Sequence, residues 1–89
     1  MKDEIQELLQ KRDYQKAENY ILKEIKRKYA EICQIEIDEN STLGEILALM
    51  SEKNTSYIGR VKFLVSMMEG KKMNAEYIKD LLMYYYSIA

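Results

Sequence analysis

Residues 14–33 read YQKAENYILKEIKRKYAEIC, and this stretch decides the fold class. Its apolar residues recur at every fourth position, on one side of an α-helix: Ala17, Ile21, Ile25 and Tyr29. The remaining sides carry most of the charged residues, so the helix is amphipathic and needs neighbouring elements to cover its apolar stripe. The stretch therefore predicts a long helix over residues 14–33 that packs inside an all-α domain.

The same helical spacing continues beyond this stretch and predicts a short N-terminal helix and three further helices over residues 42–52, 56–69 and 75–87. Thr42 and Glu45 have the spacing of a capping box, and Asn74 is placed to cap the last helix. Gly70 is expected to end the preceding helix in the left-handed conformation. Asp13 is expected to open the long helix after a short break.

The composition supports a small helical domain. The chain has 89 residues, no proline and three glycines, so the strongest helix breakers are absent or scarce. Residues 53–55 and the other breaks are short, and short connections favour antiparallel neighbours. We therefore expect a single domain over residues 1–89, folded as a compact antiparallel bundle of four main helices plus the short N-terminal helix.

Charge and cysteine content indicate the compartment. The formal net charge is −1, which provides no global field to attract nucleic acid or an anionic membrane. Cys33 is the only cysteine, so it cannot form a disulfide within the chain, which suits a reducing compartment. We expect Cys33 to be buried and inert. The start of the chain, Met1 to Glu4, lacks the apolar core of a signal peptide. We expect a cytoplasmic protein of a bacterium or its phage, with no membrane partner.

The chemistry that is missing from the chain narrows its function. Histidine, the commonest general base and transition-metal ligand, does not occur. A lone cysteine cannot form a structural zinc site. The glycines at 44, 59 and 70 match no phosphate-binding loop. The sequence predicts a non-enzymatic protein with no cofactor and no metal.

A surplus of tyrosine and methionine near the C-terminus suggests a surface for a partner. Three consecutive tyrosines, Tyr84 to Tyr86, point about 100° apart on a helix, so they cannot all enter one small core. We expect Tyr85 to be buried and Tyr84 or Tyr86 to be partly exposed. The predicted partner-binding residues are Tyr84, Tyr86, Met83 and Tyr77. The alternative is that the phenol rings cover the edge of the core with their hydroxyls in water.

These residues support a first functional hypothesis, a helical interaction module. It either self-associates, for example as a dimer, or binds a protein partner through its C-terminal helices.

A basic cluster on the long helix supports a second hypothesis. The cluster consists of Lys23, Lys26, Arg27 and Lys28. Basic residues of this kind can contact phosphates or an acidic partner. The second hypothesis is therefore a regulator that associates with nucleic acid through this cluster. The simpler interpretation is a solvated helix face, because glutamates at 18, 24 and 31 dilute the charge.

Residues 8–18, LLQKRDYQKAE, resemble the opening of a HEPN-type helical domain, and the similarity extends over about residues 8–50. The same stretch is also similar to a tetratricopeptide helix hairpin, but arrays of that kind need about three repeats. Active HEPN ribonucleases carry an arginine followed by a histidine, and Arg60 has none after it. The resemblance therefore implies a non-catalytic member, for example a toxin or phage-defence regulator. An immunity or antitoxin-type inhibitor is a third hypothesis.

Overall fold

The computed structural model of the chain describes residues 1–53 and 56–88. Over these ranges it contains five helices and no strand, which confirms the all-α prediction. The helices are α1 (Lys2–Gln10), α2 (Tyr14–Cys33), α3 (Leu43–Glu52), α4 (Ile58–Glu69) and α5 (Ala75–Ser87). Helices α2 and α5 have the predicted bounds, and α4 begins two residues later than predicted. The predicted break over residues 53–55 lies partly outside the described residues.

The predicted break between α1 and α2 is present and is built by backbone hydrogen bonds. The N–H of Asp13 donates to the carbonyl of Leu8 at 2.9 Å, and the N–H of Arg12 donates to that of Leu9 at 3.1 Å. This is the Schellman pattern that ends many helices. It places Arg12 in the left-handed region with φ 58°. The Asp13 carboxylate then accepts from the N–H of Lys16 at 3.3 Å and caps α2.

The end of α2 follows the same pattern, whereas the end of α4 does not. Gln34 has φ 54°, and the N–H of Ile35 donates to the carbonyl of Ala30 at 3.1 Å. The prediction of a left-handed Gly70 is wrong, because its φ is −89°. The N–H of Gly70 donates to the carbonyl of Ser66 at 3.2 Å, which is the hydrogen-bond pattern of an α-helix. The helical hydrogen bonding therefore includes Gly70, and this residue does not need a positive φ.

Two predicted N-terminal caps are confirmed. The Thr42 hydroxyl accepts from the N–H of Glu45 at 3.1 Å at the start of α3. The Asn74 side-chain carbonyl accepts from the N–H of Tyr77 at 3.0 Å at the start of α5. Each bond satisfies one of the free donors of a helix N-terminus.

The described structure divides into two compact units. Unit 1 contains Met1–Glu24 and the described residues from Lys71 onward, and unit 2 contains Ile25–Gly70, so α2 contributes to both. The main buried side chains of unit 1 are Ile5, Ala17, Ile21, Tyr77, Ile78, Leu81, Tyr84 and Ile88. Those of unit 2 are Ile25, Tyr29, Ile35, Ile46, Met50, Val61 and Leu64. The single domain and the antiparallel bundle stay predictions.

Inside unit 2, α3 and α4 contact each other. The ring of Tyr29 meets the ring of Tyr57 edge to face, with the centroids 5.8 Å apart. The prediction that Cys33 is buried is wrong, since its side chain is half-buried. Cys33 is the last residue of α2, where the helix gives way to Gln34 and the apolar stripe ends.

Candidate interaction surface and buried polar cluster

One side of α5 carries two large apolar residues in solvent. Met83 is 70% exposed and Tyr86 is 56% exposed. They lie three residues apart, so they adjoin on the helix surface. Lys79 and Asp80 are exposed one turn earlier on the same side. We call these four residues the α5 face.

The neighbouring tyrosines point inward, which corrects part of the predicted surface. Tyr77 and Tyr84 are each 6% exposed, because they continue the inward stripe that contains Leu81. The prediction that Tyr85 is the buried member of the triplet is wrong. Its ring is half-buried and meets the ring of Tyr86 edge to face, with centroids 5.3 Å apart. Of the four predicted contact residues, only Met83 and Tyr86 offer exposed side chains.

The polar end of the α5 face is available for interaction. Neither the Lys79 ammonium nor the Asp80 carboxylate forms a hydrogen bond or an ion pair with any residue that the structure describes. The last turn of α5 has no basic residue. The negative end of the helix dipole is thus not compensated by a cation on the helix itself.

The basic cluster of α2 is less uniform than the sequence suggested. Lys23 and Arg27 are exposed and, being four residues apart, lie on one side of the helix, whereas Lys26 and Lys28 are partly buried. Lys23, Arg27 and Lys28 each take part in another polar, electrostatic or ring interaction within the chain. Of the four residues of the cluster, Lys23 and Arg27 are therefore the exposed ones.

The residue pattern did not single out Glu18, whose carboxylate is buried, with the residue only 3% exposed. One of its oxygens accepts from Lys71 Nζ at 2.7 Å and from the Tyr77 hydroxyl at 2.5 Å. The other accepts from Gln15 Nε2 at 3.1 Å. The signal for this cluster was present in the sequence, because Glu18 follows Ala17 directly and so borders the apolar stripe of α2.

The electrostatics of this cluster favour a charged Glu18. Burial by itself raises the pKa of a carboxyl group, but the hydrogen bonds from Lys71 and Tyr77 outweigh it and hold the pKa of Glu18 below its usual value. Burial and the bond to the Glu18 carboxylate raise the pKa of the Tyr77 phenol well above its usual range. The Lys71 ammonium also lies 5.7 Å from the centre of the Tyr77 ring. The cluster thus connects α2 to the start of α5.

Every buried side-chain nitrogen and oxygen among the described residues has a hydrogen-bond partner. No group of His, Cys, Asp and Glu side chains in the described ranges is arranged to hold a metal ion. None of the described helices is both long enough and apolar enough to cross a membrane. No protein-family model, curated protein or solved structure matches the chain.

Proposed function

We propose that this protein is a non-enzymatic interaction module that binds a protein surface through the α5 face. The observation that carries the proposal is the exposure of Met83 and Tyr86 side by side on one helix. Tyrosine and methionine are enriched at protein interfaces, and an apolar centre with charged neighbours is typical of such sites. Lys79 and Asp80 supply those charged neighbours.

The anchoring of α5 also supports this proposal. Asn74 caps its start, and Tyr77 binds the buried Glu18 carboxylate. A helix held in this way presents Met83 and Tyr86 in one orientation, which lowers the entropic cost of binding. The absence of histidine from the whole chain favours binding over catalysis.

Photo-crosslinking in cells tests this proposal. We would replace Tyr86 with the photoreactive p-benzoylphenylalanine, irradiate the producing cells and analyse the adducts by mass spectrometry. A matched variant carries the same group at Gln6, which is exposed on α1. We expect one discrete protein adduct from position 86 and none from position 6. Equal labelling from both positions, or no adduct from position 86, would contradict the proposal.

The exposed pair Lys23 and Arg27 favours a second candidate function, a regulator that contacts nucleic acid. This candidate includes a non-catalytic HEPN-like protein of toxin or phage-defence systems. Binding to phosphates weakens steeply as salt is raised. Fluorescence anisotropy with labelled RNA and DNA at low salt tests it, with Lys23→Gln/Arg27→Gln as the variant and Lys62→Gln/Lys72→Gln as the charge-matched control. Equal affinity of the two variants would exclude the pair as the contact site.

We further propose that the helices pack as a compact antiparallel bundle in a bacterial or phage-infected cytoplasm. The short connections over residues 11–13 and 70–74 support the packing. The single cysteine supports the reducing compartment.

A further inference from the structure

Another large apolar residue lies in solvent on α4, within unit 2. Phe63, the only phenylalanine of the chain, is 63% exposed. Arg60 and Ser66 lie three residues before and after it, Gly59 lies four residues before it, and all three are exposed. Positions three and four residues apart adjoin on a helix surface. We call these four residues the α4 face.

We propose that the α4 face binds single-stranded nucleic acid, with one base stacked on the Phe63 ring and a phosphate of the same strand at Arg60. This inference goes beyond the protein-binding function proposed above and does not depend on it. It also concerns a different helix from the basic pair Lys23 and Arg27, which belongs to α2.

The ring of Phe63 lies on an open part of the helix surface. Side chains of a helix lean towards its N-terminus, so this ring leans over the turn that contains Gly59 and Arg60. Gly59 has no side chain, and Ser66 on the other flank has a short one. Phe63 takes part in a further interaction within the chain and still keeps more than half of its surface in water. A flat ligand can therefore reach the ring.

Gly59 is the residue that indicates a ligand at this place. It belongs to α4, although glycine is a poor helix former. The fold does not require it, because its φ is not positive and a Cβ at this position would meet no atom of the described residues within 4 Å. Glycine is typical of sites where a ligand approaches the backbone closely. The open space above Gly59 leaves room for a base beside the Phe63 ring.

Local charge selects nucleic acid as the ligand. Residues 53–68 contain three cations, Lys53, Arg60 and Lys62, and no aspartate or glutamate. Lys53 and Lys62 lie outside the α4 face and add only to the local positive potential. The α5 face differs, because it carries one cation and one anion. Proteins bind single strands with exposed aromatic rings for the bases and a positive surface for the backbone, which is the combination on α4.

A tryptophan reporter tests the stacked base. The chain contains no tryptophan, so Phe63→Trp provides a single one, and its aromatic ring preserves the stacking. We expect oligodeoxythymidylate and oligouridylate at low salt to quench its fluorescence, whereas inorganic polyphosphate, which has no base, should not. Tyr86→Trp places the same reporter on α5 and should not be quenched. Equal quenching at the two positions, or quenching by polyphosphate, would overturn the stacking.

Fluorescence anisotropy with labelled oligodeoxythymidylate measures the contribution of each side chain. We expect Phe63→Leu to weaken binding roughly 5–150-fold, the range for one stacked base. Arg60→Gln should reduce the salt slope by about 0.7, the value for one phosphate contact. Lys16→Gln, at an exposed position of α2, is the charge-matched control and should leave the slope unchanged. No binding by the wild-type protein at low salt, or equal affinity of wild type and Phe63→Leu, would refute the proposal.

A larger residue at position 59 separates binding from folding. Gly59→Gln should raise the thermal midpoint, because glutamine is the better helix former and a Cβ fits there, yet it should weaken binding by occupying the space beside the ring. Gly44→Gln, at an exposed position of α3, is the matched control and should leave binding unchanged. Full binding by Gly59→Gln would overturn the assigned place of the base. A failed crosslink at position 86 would overturn the α5 function alone, since the two faces lie on different helices.

Discussion

At the scale of single residues, Glu18 is a buried charged group whose hydrogen-bond partners influence the stability of the fold. Its carboxylate is buried and accepts hydrogen bonds from Lys71, Tyr77 and Gln15. Such a group is tolerated in the interior only while its partners remain, because an unpaired buried charge is strongly destabilising.

Removal of the lysine partner should expose this dependence. We expect Lys71→Met to lower the free energy of unfolding by about 1–3 kcal/mol, because it leaves the buried Glu18 charge without its cation. The Lys71 side chain itself is partly exposed. Lys72→Met is the matched control, since Lys72 is exposed and lies next to it in sequence. Urea titration followed by circular dichroism measures both. Equal effects of the two substitutions would show that the ion pair contributes nothing.

The lowered pKa of Glu18 predicts a pH dependence. Its folded-state pKa lies below the ordinary value of 4.5, so the unfolded chain takes up the proton at a higher pH than the folded chain does. The stabilisation is therefore complete above about pH 4.5 and is lost as the pH falls through the folded pKa.

Glu18→Gln is the variant that tests this dependence. Ordinary carboxyl groups titrate between about pH 5 and pH 3. Over this range we expect the urea midpoint of the wild-type protein to fall more steeply than the urea midpoint of Glu18→Gln. Glu36→Gln, which changes an exposed carboxyl group, is the control. Parallel pH profiles for wild type and Glu18→Gln would contradict the role assigned to this carboxylate.

At the scale of the elements, the ends of α1 and α2 are the unusual features. Both are followed by a left-handed residue that is not glycine, Arg12 at φ 58° after α1 and Gln34 at φ 54° after α2. This conformation costs a residue with a side chain roughly 1–2 kcal/mol relative to the right-handed one. Glycine adopts it without that cost.

Glycine at either position should therefore stabilise the protein. We expect Arg12→Gly and Gln34→Gly each to raise the free energy of unfolding by about 0.5–1 kcal/mol, after the entropic cost of glycine in the unfolded chain. Lys16→Gly, at an exposed position inside α2, is the control and should lower it by a similar amount. Thermal unfolding distinguishes the two signs, and a loss of stability at all three positions would refute the interpretation.

At the scale of the whole molecule, α2 is the element that contributes to both units. It runs without a break from Tyr14 to Cys33. Helix formation is cooperative along a continuous segment. We therefore expect the two units to unfold in one transition, as the single domain over residues 1–89 predicts.

A core substitution in unit 1 tests this coupling. Leu81 is fully buried there, so Leu81→Ala should lower the free energy of unfolding by about 2–5 kcal/mol. If the units unfold together, amide hydrogen exchange should accelerate in α3 and α4 of unit 2 as well as in α1 and α5. Leu82→Ala, at a half-buried position, is the control and should have a smaller effect throughout. Unchanged exchange in α3 and α4 would show two independent folding units.

Local patterns predicted most of the helical structure. The four-residue spacing from Ala17 to Tyr29 marked the buried side of α2, and the caps at Thr42 and Asn74 marked two helix starts. These features are encoded within a few neighbouring residues, so they are visible in the chain itself. The left-handed ends at Arg12 and Gln34 were not predicted, because their residue types do not favour that conformation.

The candidate sites were less predictable. Met83 and Tyr86 were identified in advance, but Tyr84 and Tyr77 were also expected at the surface and are buried. Because α5 carries three adjacent tyrosines, several of its sides could face the core. A small rotation of the helix about its axis decides which tyrosine is buried, and that rotation depends on the residues that pack against α5.

The sequence by itself determined that this protein is all-helical, where its main helices lie, and that histidine chemistry is excluded, since these follow from composition and from contacts within a few residues. Only the tertiary structure decided which tyrosine of α5 is exposed and that Glu18 is a buried, charged acceptor. Glu18 meets Lys71 and Tyr77 across 53 and 59 residues of chain. Contacts at that separation form only when the helices pack, because packing alone sets the rotation of each helix and the partners of each buried polar group.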